Sequence, residues 1–382
     1  MNEKPLFELI ENQERLEAFS RILRRKKIIA VDMEADSMYH FREKVCLIQI
    51  ATRENNVLID PFRIEDFSCL LPVFRRKDVR KIFHGADYDV RSLYRDFGME
   101  IRHLFDTQIA ARFTGLRESG LESVLHHHLG ISLDKKYQRK DWSQRPLPPE
   151  MQEYAARDTH FLIPLERILR KKLKKLGRMD WVEEECGILS RVRSLGENPS
   201  PLFLKFKGAG QFRSRNLAVL EHILQARRIF AEKKDRPVFK IFGNNAVVQM
   251  VQERPVTLRQ LEKTRALSRK QMKMYGEEIV AAVRRGLETP ENELPVYPRK
   301  KIPSLSPKVP ERIKKIKEWR DRRARELDID PTLICNKALM TAIAAKNPRC
   351  AAHMEGIEDM RNWQIHAFGE EMIRVLHSKN SG

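Results

Sequence analysis

The sequence predicts an α/β or α+β domain built on a mixed sheet, followed by two small all-α modules. Three observations predict it. Short β-branched runs crowd the first third of the chain, no convincing strand follows about residue 205, and the helical remainder repeats itself.

The candidate strands are Lys27 to Val31, Val45 to Ala51, Asn56 to Asp60 and Lys81 to His84, each bounded by polar turns. The first three leave no room for a helix between them, so they are expected to run antiparallel. Helical patterns follow at Val90 to Phe97 and Asp106 to Thr114. One longer helix is expected from Pro149 to about Leu173, with Pro148 and Pro149 where a helix start tolerates proline.

Behind this region, aligning Ala226-Arg227 with Trp319-Arg320 gives an offset of 93 residues. The same offset brings Pro255 onto Pro348 and Gly276-Glu277-Glu278 onto Gly369-Glu370-Glu371, while Pro237 and Pro331 match with a one-residue gap. Two copies of a helical unit of roughly 75 residues account for the pattern. The expected boundaries are 1–200 for the first domain and 208–289 and 311–382 for the two copies. Between the copies, 290–310 carries prolines at 290, 295, 298, 303, 307 and 310, and is expected to be an extended linker.

Charge and composition narrow the function. Lys and Arg total 73 against 53 Asp and Glu, a formal charge of +20, which attracts polyanions, above all a phosphate backbone. No stretch approaches the ~18 consecutive apolar residues of a membrane-spanning helix, and Met1 to Pro5 lacks the pattern of a secretory signal. The reading is a soluble, cytoplasmic protein with no membrane partner. Cys46, Cys69, Cys186, Cys335 and Cys350 are dispersed without a Cys-x-x-Cys pair, which excludes a disulfide framework and a cysteine zinc site and implies a reducing compartment.

The chemistry rests on scattered acids. Asp32 and Glu34 sit at a strand end, and their spacing of two puts both side chains on one face. Such a pair repels itself unless a cation lies between, and a hard divalent ion is the natural partner. The segment His84-Gly85-Ala86-Asp87-Tyr88-Asp89 leads from a strand into a helix, where Asp87 or Asp89 could simply be a cap. Tyr154 and Asp158, four apart on the late helix, share a face. Each signal alone is ordinary: a solvated strand end, a cap, a surface hydrogen bond. His126-His127-His128 reads as a polar helix end, because consecutive residues do not converge on one point.

In that order, Asp-x-Glu on the first strand, an Asp after a His-led strand end and Tyr-x-x-x-Asp on a late helix resemble the DEDD exonuclease superfamily in its tyrosine subclass. The runs Phe105 to Gln108 and Gln138 to Leu147 (QRKDWSQRPL), together with the Tyr154 motif, look like the ribonuclease D family, and the repeat looks like paired HRDC domains. The resemblance implies a ribonuclease H-like α/β catalytic domain with a mixed five-stranded sheet flanked by helices. It implies a 3′→5′ exoribonuclease releasing 5′-mononucleotides, with two divalent cations, Mg2+ or Mn2+, about 3.5–4 Å apart. Asp32, Glu34, Asp89 and Asp158 match the metal-binding acids, and Tyr154 the residue that orients or deprotonates the attacking water. The histidine subclass has its histidine five residues before the last acid, and Glu153 stands there, so the chain sides with tyrosine. Gly85 departs from relatives that carry Asn after the histidine. By the same resemblance the partner is RNA with a single-stranded 3′ end, such as a transfer RNA precursor, and the chain works as a monomer.

A tyrosine with an ordinary pKa near 10 is a poor base at neutral pH, so orienting water is the conservative role for Tyr154. The basic and aromatic run Lys135 to Trp142 has the composition of a single-strand contact, or else Trp142 is a buried anchor. Gln49, Phe83, His84, Gln138 and Trp142 are the candidate nucleotide contacts. Arg227-Arg228, Lys233-Lys234 and Lys240 in the first copy, and Trp319-Arg320, Arg322-Arg323, Lys337 and Lys346 in the second, are candidate phosphate contacts or solvated helix faces. Arg299-Lys300-Lys301 of the linker is another.

Overall fold

The structure is a computed structural model that describes residues 7–193, 201–298 and 306–378. Arg299 to Lys301 lie outside those residues. Two compact units divide the chain: one takes the residues up to 35, 45–194 and 303 onward, the other takes 36–44 and 195–302.

The first unit opens with strand β1 (Glu8–Ile10), helix α1 (Gln13–Leu23) and strands β2 (Ile28–Ala35), β3 (Val45–Ala51) and β4 (Asn56–Ile59). Helix α2 (Leu71–Arg75), β5 (Arg80–Phe83), α3 (Asp87–Phe97), β6 (Leu104–Asp106), α4 (Thr107–Phe113) and α5 (Leu121–Leu129) follow. The sheet order is β1-β4-β3-β2-β5-β6. β2 to β4 pair antiparallel as expected, and β1, β5 and β6 add parallel neighbours. The sheet is mixed but six-stranded, not five-stranded. β1 and β6 are three residues each, too short to show a period of two. Central β3 is buried along its whole length, which explains its continuous apolar run VCLIQIA.

The long helix expected from Pro149 is two helices, α6 (Pro149–His160) and α7 (Leu162–Lys175), broken at Phe161. Pro164 is the cause: it has no N–H for the carbonyl of His160, and its ring clashes with that carbonyl in a continuous helix. Helix α8 (Met179–Leu189) packs against β6 and α4.

The helical copies obey the 93-residue offset closely. The first holds α9 (Ser214–Lys233), α10 (Val238–Ile241), α11 (Asn244–Glu253), α12 (Leu258–Thr264) and α13 (Arg269–Glu288). The second holds α14 (Val309–Leu327), α15 (Pro331–Ile334), α16 (Lys337–Lys346) and α17 (Asn362–His377). No strand occurs after β6 among the described residues. Between the copies, a short 3-10 turn occupies Glu291–Glu293 within the expected linker, and Pro310 already lies in the first turn of α14. No helix among the described residues is long and apolar enough to cross a membrane.

The second copy shares the first unit's core. Trp363 stacks on Trp181 of α8 at 4.7 Å, Glu184 accepts from the Asn362 and Trp363 N–H groups at 2.8 Å each, and Arg178 donates to the Phe113 and Leu327 carbonyls.

Candidate active site

β2 delivers two acids to one end of the sheet. Asp32 pairs in register with Gln49 and Glu34 with Leu47, and a bulge directly after Glu34 ends the regular ladder. Alternation along β2 buries Val31 and Met33 while Asp32 and Glu34 stay partly open. β5, paired parallel to β2, ends beside them in the turn His84-Gly85-Ala86. Gly85 has φ +75°, a conformation favouring glycine and tolerated by asparagine. The departure from the family pattern at Gly85 thus keeps the same backbone. The structure also separates the two acids of α3: Asp87 is exposed and bonded to Arg91, whereas Asp89 is buried.

Asp106 holds this turn in place. Its carboxylate, 1% exposed, accepts from the N–H groups of Gly85, Ala86, Gln108 and Ile109 at 2.7–3.1 Å. One side chain therefore caps α4 and fixes the loop that sets Asp89 on α3. Sequence reasoning matched Phe105 to Gln108 without giving Asp106 a role, although an Asp just before a helix is itself an N-cap signal.

Helix α6 lies across β2, β3 and β4, a close approach helped by buried Ala155 and Ala156. It presents Tyr154 and Asp158 one turn apart to the same cavity, where the Tyr154 hydroxyl favours the ionised Asp158 carboxylate. Asp32, Glu34, His84, Gln108, Gln138, Tyr154 and Asp158 line one cavity of about 460 Å³, with Leu121, Leu133 and Leu162 as apolar wall. Asp89 sits behind Asp32 and feels its charge.

Electrostatics mark the acids as uncompensated. Burial raises Asp32 to about 7. Glu34, Asp89 and Asp158 are pushed well up, first by burial and then by the neighbouring carboxylates. None of the four forms an ion pair among the described residues. Burial, then Asp158, Glu34 and Asp32, drive the Tyr154 hydroxyl far above its ordinary value, so it is a donor here and not a phenolate. Among the described residues no three His, Cys, Asp or Glu side chains close around one ion, so the acids line the cavity and do not form a tight cage.

Two of the five candidate nucleotide contacts do line the cavity. His84 bonds Thr107 through Nδ1 at 2.9 Å and leaves Nε2 without a partner, while Gln138 is exposed at the rim. The other three need correction. Trp142 is 1% exposed and packs against the Tyr154 ring at 6.0 Å, so it anchors the loop and offers no face to a base. Arg145 explains that burial: it binds Asp60 at 2.6 and 2.8 Å and the carbonyls of Cys46, Trp142 and Gln144, pinning the loop to the sheet. Gln49 is fully buried with both amide atoms unbonded, directly across from Asp32, and Phe83 is also buried. The His126–His128 run ends α5 as expected, with burial and His127 holding His128 down at about 4.

The repeats revise other candidates. Arg227 is buried and donates to Phe242 and Asn244, and Arg320 donates to Cys335, so both brace their own copy. Trp319 is buried as well, and Arg323 is paired with Glu326 and Glu371. Lys233, Lys234 and Lys240 remain exposed.

Residues 7–174 match the model of a 3'-5' exonuclease family, and residues 216–283 and 310–376 each match the HRDC domain. Ribonuclease D of Bartonella henselae is 27% identical over 378 residues, 98% of this chain and 91% of that protein. The chain therefore carries a 3'-5' exonuclease domain followed by two HRDC domains, and it is similar to ribonuclease D over most of its length. The likeness extends to a crystal structure of Escherichia coli RNase D, an exoribonuclease involved in structured RNA processing. That structure covers 97% of this chain and 98% of its own, with a TM-score of 0.74 and 24% identity, which establishes a shared fold. Protein RRP6-like 1 of Arabidopsis thaliana is 28% identical over 75% of this chain. The chain spans only 47% of that relative's length and 34% of RRP6-like 2.

Proposed function

We propose that the chain is a 3′→5′ exoribonuclease that hydrolyses RNA one nucleotide at a time and releases 5′-mononucleotides. One observation carries the reading: Asp32, Glu34 and Asp158 line one cavity beside a tyrosine hydroxyl, with buried Asp89 close to Asp32, and none of the four is ion-paired among the described residues, since the cavity's lysine, Lys135, is paired with Glu122. Carboxylates gathered at such cost to their ionisation imply that something else supplies positive charge. The donor set is all oxygen, which suits Mg2+ or Mn2+ and not zinc. Asp32, Glu34, Asp89 and Asp158 would hold two such ions. When bound, they activate water and neutralise charge developing on the leaving 3′ oxygen.

The chain's own groups supply orientation. Tyr154, kept protonated one helical turn from Asp158, orients the attacking water. Asp106 fixes the turn that carries His84 and leads to Asp89. His84 and Gln138, which line the cavity, would contact the terminal nucleotide.

The finer reading is a cytoplasmic monomer acting on single-stranded 3′ ends of transfer RNA precursors and other small structured RNAs. We divide it as 1–200 for catalysis, 208–289 and 311–382 for the HRDC copies and 290–310 for the linker. The test is a gel assay on 5′-labelled single-stranded RNA with magnesium, comparing wild type with Asp158→Asn and Tyr154→Phe. Stepwise shortening from the 3′ end, abolished by Asp158→Asn and slowed at least ~10²-fold by Tyr154→Phe, is expected. RNA bound but left intact by wild type under magnesium or manganese would reject catalysis in favour of a binding scaffold.

A further inference from the structure

A second cleft lies at the other end of β2 from the acids. It is about 1150 Å³ and is walled by the turn between β3 and β4, the start of β5 and the outer face of α7. Ile28 at its edge is four residues from Asp32, roughly 13 Å along the strand.

Its charge is one-sided. Arg53, Arg80, Arg167, Arg170 and Lys171 face two acids, Glu54 and Glu166. Glu54 is already paired with Lys26 at 2.6 Å, outside the cleft. Glu166, 4% exposed, holds Arg80 at 2.8 Å and Arg170 at 3.7 Å, so one buried carboxylate fixes two guanidinium groups. The Arg170 Nε is buried and has no hydrogen-bond partner. Arg53, Arg167 and Lys171 are exposed, and none of them forms an ion pair among the described residues. Two positioned guanidiniums, three free cations and the amide of Asn55 suit phosphate oxygens, which take bidentate arginine contacts.

The floor reaches the catalytic helix. Asn56 donates to the Ala156 carbonyl of α6 at 2.8 Å and accepts from Thr159 at 3.3 Å, on either side of Asp158. We propose that this cleft is a second anion site that binds the phosphate groups of a nucleic acid or nucleotide away from the scissile bond. The phosphodiester backbone of the RNA body and a free nucleotide share that chemistry. The RNA arm rests on the exoribonuclease reading, and it is tested by binding alone, so a protein without nuclease activity still gives an answer.

The experiment changes Arg167→Glu with Lys171→Glu, both on exposed positions of α7, in the Asp158→Asn protein. A control pair, Lys174→Glu with Lys175→Glu, makes the same charge change on the same helix outside the cleft. Binding of a single-stranded RNA of about 20 nucleotides is measured across a salt series. The cleft pair should weaken it about tenfold and flatten the salt slope by about 0.7 for each phosphate no longer neutralised, with the control pair within about twofold of the parent. In the otherwise wild-type protein, hydrolysis of a tetranucleotide should be unchanged. If RNA binding holds but titration with adenosine monophosphate weakens, the site stands and its occupant is a free nucleotide. If neither ligand is affected, or if the control pair matches the cleft pair, the proposal fails.

Discussion

In the first helical copy Arg227 donates to the Phe242 carbonyl and Gln271 to the Ile241 carbonyl; 93 residues later Arg320 donates to Cys335 and Gln364 to Ile334. Arg254 and Asn347, at the same offset, both end their helix in the left-handed conformation. The inner skeleton is therefore the same twice. The start of the last helix is not. Where the first copy carries exposed Arg269, Lys270 and Lys273, the second carries Asn362, buried Trp363 and His366, with Trp363 stacked on Trp181. Buried backbone carbonyls need the same donors wherever the fold is used, whereas a surface answers to whatever covers it. The second copy has become part of the exonuclease unit, while the first keeps a basic face.

The largest test of this contrast is Trp363→Ala, expected to cost about 3–5 kcal/mol in the exonuclease unit. Lys270→Ala at the matching position should stay within about 0.5 kcal/mol. All four tryptophans, at 142, 181, 319 and 363, fall in the first unit, so their fluorescence in urea follows that unit alone, while far-UV dichroism follows both. Equal losses at the two positions would break the contrast.

Removing the shared skeleton should act alike in both copies. Arg227→Met and Arg320→Met each leave a buried carbonyl without its donor, at about 1–3 kcal/mol. A loss in only one copy would mean the repeat is not energetically a repeat.

pH offers a third separation. Lys81 is fully buried in the first unit, and burial pulls its ammonium down to about 7. An amine whose folded pKa lies below its unfolded value near 10.5 binds fewer protons in the folded state between those two pH values. Stability of this unit therefore rises with pH over that window and falls again as pH drops towards 7, by at most ~2 kcal/mol between pH 7 and 9. The tryptophan-detected urea midpoint should show the rise, and Lys81→Met should flatten it.

The smallest effect concerns binding. Lys270→Glu with Lys273→Glu should lower RNA affinity by about tenfold or less and reduce the salt slope by about 1, without moving the urea midpoint. No change in the slope would mean the first copy's basic face is only solvated.

Much of the site was legible because its signals are local. A spacing of two on a strand puts Asp32 and Glu34 on one face, and a spacing of four on a helix lets Tyr154 reach Asp158; both follow from backbone periodicity. The 93-residue repeat was equally legible, since its anchors are prolines and glycines whose backbone roles travel with them. Even the break in the long helix was written in Pro164, though the apolar period ran past it.

What tertiary structure alone decided is which side of each element meets the core. Asp89 rather than Asp87 turns inward because α3 packs on the sheet along that face. Trp142 and Gln49 carry the composition of nucleotide contacts yet are buried, one under a loop pinned by Arg145 and Asp60, the other inside the central strand. Trp363 reads as one more core aromatic until α8 is found beneath it. Sequence fixes periodicity and residue chemistry over a few positions, but burial depends on partners tens to hundreds of residues away, and no local pattern encodes where they will lie.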